Sequence, residues 1–367
     1  MAAGVTLSFV GIATFLLMPQ LVEAVVGDLH FSEGEAGWMS SAVMIGSTLA
    51  AAVTGLWIRR VPWQTAAAVA LVGQLLANAL ALFAHAPAVF IGVQALVGFF
   101  GGSLYSLSLT ILSDGRRPDR NFAYSIGAQT VYQLFGLGAG PFLIRHGANA
   151  MLGLFAVLCM AGLGVLAWVP ARGRATVAPG RGGSLLSVPV LLTLAGCFVF
   201  YINIGAYWTY VERIGTAGGM GIAAISNALA FAVVMSIAGV VLAFALGARR
   251  GYLVPLAGSA AAIVVAMLLL TGTLSILDFT ASAVVYGIAW NVSMTYQYGA
   301  VNAVDRSGRG VALAPALHWA GGAAGPAFAA LLVTDRNHDA VYSIVIAAVV
   351  ASFGLFALAL RERRPVA

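Results

Sequence analysis

Lysine is absent from all 367 residues: each of the 18 basic residues is arginine, which reads as genomic bias rather than chemistry. Charge of either sign is scarce. Only 8% of residues are charged, against roughly a quarter in an average soluble domain. With 61% hydrophobic residues and a mean hydropathy of +0.97, no soluble fold of this length could hide its apolar surface. Cysteine is limited to Cys159 and Cys197, both inside apolar runs, which excludes a disulfide framework or a cysteine metal site and leaves core packing. A nucleotide loop after a strand, a Cys/His ligand cluster and an assignable Ser/His/Asp set are missing too. Neither an enzyme nor an ATP-driven pump is expected, and no cofactor or metal is implied. The net charge of +6 does not make nucleic acid a partner, because the arginines fall in short loops between apolar runs rather than on one face.

What is present is a succession of about twelve apolar windows, near 5–27, 36–58, 64–85, 88–113, 121–144, 149–170, 187–212, 219–247, 252–272, 275–299, 309–333 and 339–360. Each approaches the ~20 residues of a spanning helix. The first has no basic residue ahead of it and exceeds a signal-peptide hydrophobic region, so it reads as an uncleaved helix. With the N-terminus cytoplasmic, fifteen arginines fall on the cytoplasmic side, and only Arg145, Arg213 and Arg336 fall outside. This asymmetry predicts a multi-pass protein of the bacterial inner membrane with both termini cytoplasmic.

The only linker-like stretch, 171–186, holds Arg172, Arg174, Pro179, Gly180 and Arg181. It separates an N-terminal six-helix half, 1–170, from a C-terminal six-helix half, 187–367. The halves repeat at an offset of about 185–190 residues: Leu21-Val22-Glu23 matches Tyr210-Val211-Glu212, and Arg59-Arg60 matches Arg249-Arg250. Gly136, Gly140 and Pro141 in the fifth window match Gly321, Gly325 and Pro326 in the eleventh as GxxxGP. Six helices followed by six places the halves parallel in the membrane.

Twelve helices, a basic central loop, parallel halves and GxxxGP together resemble the major facilitator superfamily over nearly the whole chain. The resemblance implies an all-α membrane fold of two six-helix bundles, with the first and fourth helices of each half lining a cavity and the third and sixth facing lipid. It also implies secondary transport by alternating access. The loop after the second window, Gly55 to Pro62, keeps the family's glycine and a basic residue but has Arg59 where an acid is usual, so the cytoplasmic charge lock is in doubt. Gln94 stands four residues before Gly98, where many proton antiporters of the family carry arginine. In the family GxxxGP is associated with exporters, which tilts the expectation towards efflux. Physically it is a packing and hinge element: small residues let helices approach, and proline removes a backbone bond.

Polar side chains gather on the expected lining helices. They include Tyr105 in the fourth window, Gln129, Tyr132 and Gln133 in the fifth, and Asn203, Tyr207 and Trp208 in the seventh. Trp290 and Gln297 form one stripe of the tenth window, and Asn291 starts the neighbouring one. A cavity lining competes, for each of them, with interhelical hydrogen bonding or interfacial anchoring.

An ionisable group in a bilayer core costs about 2.5–3.5 kcal/mol on insertion scales, so each one is a functional candidate. Glu23 comes first, about a turn inside the outer end of the first window, with Gln20 on the same face and Pro19 expected to distort the helix. It is either a proton-exchanging carboxyl or a gate-closing interfacial glutamate. Glu212, its repeat partner, is expected shallower, at a helix end beside Arg213; Asp278 is judged likewise, and Asp114 and Asp305 are expected in surface pairs with arginines. His318, about 10 Å into the eleventh window, suits proton coupling or ligand binding, against a packing role. With no arginine near the midplane, a neutral, aromatic or cationic small molecule is favoured over a multiply anionic one. The expected protein is a proton-coupled monomer, with metabolite uptake by symport, lipid or lysolipid transport, and a non-transporting membrane sensor as alternatives.

Overall fold

The structure, a computed structural model, describes residues 1–58, 60–114, 118–172, 187–247, 251–305, 309–334 and 338–361. Arg59, Arg116, Arg117, Arg249, Arg250, Arg306 and Arg336, and the central linker from 173 onward, lie outside the described residues.

The described residues form fourteen α-helices and no β-sheet. The first seven are α1 (Ala2–Gly11), α2 (Ala13–Leu16), α3 (Met18–Asp28), α4 (Glu33–Trp57), α5 (Trp63–Ala81), α6 (Pro87–Ser113) and α7 (Pro118–Arg145). The others are α8 (Ala148–Gly164), α9 (Val188–Ala217), α10 (Ile222–Leu246), α11 (Leu253–Leu268), α12 (Ile276–Val304), α13 (Arg309–Ala330) and α14 (Asp339–Arg361). Twelve windows become fourteen helices because the first is broken twice, at Ile12 (φ −110°, ψ 14°) and Leu17 (φ −111°, ψ 23°). Pro19 has no N–H for the carbonyl one turn earlier, so the chain leaves the helix at Leu17 and restarts with proline in the first turn of α3, where the missing donor costs nothing. Seven of the helices, α4, α5, α6, α9, α10, α12 and α14, are long and apolar enough to cross a membrane; α1, α8 and α11 are shorter apolar helices.

The chain divides into two compact units, Met1–Val177 and Ala178–Ala367. In the first, α6 packs against α1, α4 and α5 over a core that includes Leu7, Trp63, Leu71, Leu107 and Cys159. In the second, α9 packs against α13 and α14, and α12 against α10 and α11, over Leu194, Cys197, Leu256, Tyr296 and Phe356. Both cysteines are thus buried and free, packing as expected.

Helices approach closely where glycine permits. A methyl at Gly102 of α6 would lie 2.7 Å from Ser47 Cα of α4, and Ser47 Oγ donates to the Gly98 carbonyl at 3.1 Å. In the second unit Gly239 of α10 has the same role against Ile288 of α12. The connections are capped by side chains. Ser32 and Glu35 form a capping box on α4, and Ser275 caps α12 by accepting from Asp278 N. Asp278 is therefore a locally paired helix start. Asp305 is buried rather than on the surface as expected, and its carboxylate accepts the Gly310 amide at 2.6 Å. Large apolar side chains such as Leu76 and Leu80 on α5 and Phe231 and Phe244 on α10 remain exposed, as a lipid-facing surface requires.

Candidate functional site

In the first unit the candidates meet along the seam between α7 and the broken first helix. A continuous helix satisfies its own carbonyls, whereas a broken one offers them to neighbours. Tyr132 hydroxyl donates to the Ala13 carbonyl at 3.4 Å and Gln133 Nε2 to that of Leu16 at 3.3 Å, at the two ends of the short α2 that lies between the breaks at Ile12 and Leu17. One turn outward, Gln20 Nε2 donates back to the Leu137 carbonyl at 3.0 Å, its amide lying over Gly140. Towards the other end, Gln129 donates to Ser125 (3.0 Å), and Ser125 to Ser8 (2.6 Å). Tyr105, half-buried on α6, lies beside Gln129. From α5, Gln74 Nε2 reaches the Val10 carbonyl at 3.4 Å, so Gln74 and Asn78 are buried inside the unit rather than turned to lipid. Ser8 and Ser125 join this seam with no sequence motif to mark them, although Ser125 lies one turn before Gln129 on the same stripe.

Glu23 is buried on α3, one turn beyond Gln20 and five residues before the helix ends at Asp28. Glu212 holds the corresponding place, five residues before α9 ends at Ala217. Both carboxylates are buried, and each stands the same distance from its helix end. Arg213 reads as an end signal in sequence, yet α9 runs another turn beyond Glu212, and Ser226 of α10 donates to the Glu212 carboxylate at 3.3 Å.

In the second unit aromatic side chains join the buried polar groups. Tyr207 of α9 stacks on Tyr286 of α12, ring centroids 3.8 Å apart, and the Tyr286 hydroxyl donates to Asn203 Oδ1 at 2.7 Å. Asn203 Nδ2 in turn donates to the Phe200 carbonyl. Trp208 is buried beside them on α9. His318 of α13 is stacked on Tyr201 of α9, centroids 4.1 Å apart and planes within 14°, while Tyr298 of α12 meets it edge-on at 5.3 Å. The Tyr298 hydroxyl is hydrogen-bonded to His318 Nδ1 at 3.2 Å. His318 Nε2 is buried with no hydrogen-bond partner among the described residues. The same holds for Trp290 Nε1 and Gln297 Oε1, although Gln297 Nε2 donates to Ser293 at 2.9 Å. Asn291 is turned away, donating to the Ser236 carbonyl of α10 at 3.0 Å, which makes it a packing contact. Tyr286 and Tyr201 were not anticipated; Tyr286 extends the Trp290 stripe one turn back.

The GxxxGP segments lie inside α7 and α13. A methyl at Gly136 would meet Leu17 methyl groups at 2.6 and 2.7 Å. A methyl at Gly325 would lie 2.6 Å from the Ala206 backbone nitrogen, and Gly321 abuts the Phe198 carbonyl. Pro141 and Pro326 follow within the same helices. Beyond the helical core, a cavity of about 670 Å³ opens at the ends of α9 and α11 and the start of α14, lined by His338, Asp339, Tyr342 and Thr271.

A family model described as Major Facilitator Superfamily matches residues 3–314. The chain belongs to the major facilitator superfamily. Its general function is secondary transport across a membrane. Solved structures with the same fold include a mutant of the nucleoside transporter NupG, at 13% identity and TM-score 0.78 over 99% of both chains. A bacterial homologue of the human lysosomal transporter Spinster, inward-facing and unoccupied, shares 12% identity at TM-score 0.73, over 100% of this chain and 98% of that one. A D-xylose–proton symporter shares 14% at TM-score 0.73, over 96% and 94%. No curated protein matches the sequence.

Proposed function

We propose that this superfamily member is a proton-coupled transporter of small amphipathic organic solutes, neutral, aromatic or cationic, working by alternating access in the bacterial inner membrane with both termini cytoplasmic. The observation that carries the solute class is His318: a ring held on one side by Tyr201, fixed at Nδ1 by Tyr298, and left with Nε2 buried and unpartnered among the described residues. Buried polar atoms in folded proteins nearly always have a partner, so such an atom is a natural place for a solute's hydrogen-bonding group. Trp290 Nε1 and Gln297 Oε1 add a donor and an acceptor of the same standing, and the tyrosines supply faces on which a planar or cationic solute packs.

Coupling is assigned first to Glu23, with Glu212 and His318 as further candidates. An ionisable side chain inside a membrane-spanning helix is costly and marks a candidate ion or proton pathway. Efflux is the direction proposed, on the twin GxxxGP segments. Uptake by symport is the second reading, favoured by the likeness to a D-xylose–proton symporter.

A thermal-shift screen of the purified protein across nucleosides, sugars, dyes and cationic antimicrobials tests the solute class. A concentration-dependent rise with planar or cationic compounds that disappears in His318→Ala is the expected outcome. Stabilisation by multiply anionic metabolites alone would reject it, and displacement only by lysolipids would favour lipid transport.

A further inference from the structure

Two amides of α5 belong to neither the solute groups nor the coupling candidates. Gln74 and Asn78 are each 1% exposed, although α5 turns Leu76 and Leu80 outward. Gln74 Nε2 donates to the Val10 carbonyl at 3.4 Å, and Asn78 Nδ2 folds back to the Gln74 backbone carbonyl at 2.9 Å. Turning either amide over would set two oxygens face to face, so the atom left over on each is the oxygen. Gln74 Oε1 and Asn78 Oδ1 are buried with no hydrogen-bond partner among the described residues, and so is Thr14 Oγ1 of α2. Such atoms are rare in folded proteins and point to an occupant.

The break at Ile12 brings backbone oxygen to the same level. α1 ends at Gly11, and a methyl at Gly101 of α6 would collide with the Gly11 carbonyl and lie 3.1 Å from Gln74 Nε2. The Gly11 carbonyl and the Gln74 amide therefore meet over Gly101, and the Val10 carbonyl is bound to that same amide. Thr14 follows Val10 by one turn across the break, as Asn78 follows Gln74 along α5. A methyl at Gly11 would lie 2.8 Å from the Tyr105 backbone nitrogen, so α1 and α6 touch through their backbones here.

The chemistry of these atoms selects the occupant. All three unpartnered atoms are oxygens, which repel an anion. Neutral amides and a hydroxyl do not take up a proton, and a divalent ion calls for carboxylates, which none of these residues carries. A hard monovalent cation is satisfied by oxygen alone, and carbonyls can replace its hydration shell. Interrupted helices in secondary transporters offer carbonyls to Na⁺ in this way. Backbone contact between α1 and α6 favours the smaller ion over K⁺.

We propose that the break at Ile12 is a Na⁺ site, with Gln74 Oε1, Asn78 Oδ1, Thr14 Oγ1 and the Gly11 carbonyl as oxygen ligands. The ion ties the broken first helix to α5 and α6 within the first unit. The site uses none of the residues assigned to the solute or to protons, so it stands or falls without them.

Thermal unfolding of the purified full chain in NaCl, KCl and choline chloride at one ionic strength tests this, with binding of radioactive Na⁺ as the second readout. The wild type should show a saturable rise in Tm with Na⁺ that neither K⁺ nor choline reproduces, and should retain labelled Na⁺. Asn78→Leu and Thr14→Val should each weaken Na⁺ by roughly tenfold or more, the loss that even an outer-shell partner causes. Thr14→Val is nearly isosteric, so the test survives a failure of Asn78→Leu to fold. Equal Tm in the three salts with no Na⁺ retained would show that the oxygens hold water alone and would overturn the proposal. So would wild-type Na⁺ affinity in Thr14→Val, an equal rise with K⁺, or an Asn78→Leu variant more stable than the wild type in every salt, since removing an uncompensated polar atom is stabilising.

Discussion

In the first unit, Gly136 and Gly140 of α7 face the side chains of Leu17 and Gln20; in the second, Gly321 and Gly325 of α13 face the backbone of α9 at Phe198, Ile202 and Ala206. One motif, repeated 185 residues apart, makes two kinds of joint. The difference follows from the helix opposite. The first helix of the N-terminal unit is interrupted at Ile12 and Leu17, so it presents no continuous backbone surface and is held by side chains from α7 that reach its carbonyls. Its counterpart α9 is unbroken over 30 residues and can lie directly against glycine. A joint of side chains can slide or repack, whereas a joint of backbones is rigid.

Substitutions should expose that asymmetry. The largest effect is expected from Gly325→Leu, which drives a branched side chain into the α9 backbone and should prevent recovery of folded protein from detergent extracts. Gly325→Ala should still fold but lose about 1–3 kcal/mol, the usual cost of overpacking, seen as a lowered Tm. Gly136→Ala should lose clearly less, because the Leu17 methyls can rotate away; equal shifts in the two variants would break the comparison. Next in size, His318→Ala should abolish the solute-dependent thermal shift, while Tyr298→Phe should weaken binding by the roughly 0.5–1.5 kcal/mol of one hydrogen bond without changing which solutes bind. The smallest change is expected from Tyr132→Phe or Gln133→Leu, near the lower end of that range, since both hydrogen bonds are long. A loss from Gln133→Leu as large as that from Gly325→Ala would show that the side-chain joint is as rigid as the backbone one.

Hydropathy, arginine asymmetry and the internal repeat made the helical architecture and the family legible, because those signals are summed over twenty residues at a time. Single-residue events were not. Nothing in the apolar run from Val5 to Val26 marks Ile12 as a break, and the distortion tied to Pro19 falls two residues ahead of it. Arg213 made Glu212 look like a helix end because a charge usually stops an apolar window; here α9 carries both residues inward of its end. Gln74 and Asn78 lie on α5, which the resemblance implies to be lipid-facing, yet both are buried inside the first unit. The site residues were legible as stripes, but not their partners: Asn291 and Gln297 read alike in sequence, yet one serves interhelical packing and the other keeps a buried, unpartnered oxygen.

Proton-driven flux in proteoliposomes is the most direct measurement. A solute that stabilises the protein is loaded, a pH gradient is imposed, and wild type is compared with Glu23→Gln and Glu212→Gln. The expected result is gradient-driven accumulation by the wild type, lost in Glu23→Gln, which still exchanges labelled for unlabelled solute at equilibrium. Gradient-driven accumulation undiminished in Glu23→Gln would contradict the coupling assignment, and absence of both flux and exchange in the wild type would contradict transport of that solute class.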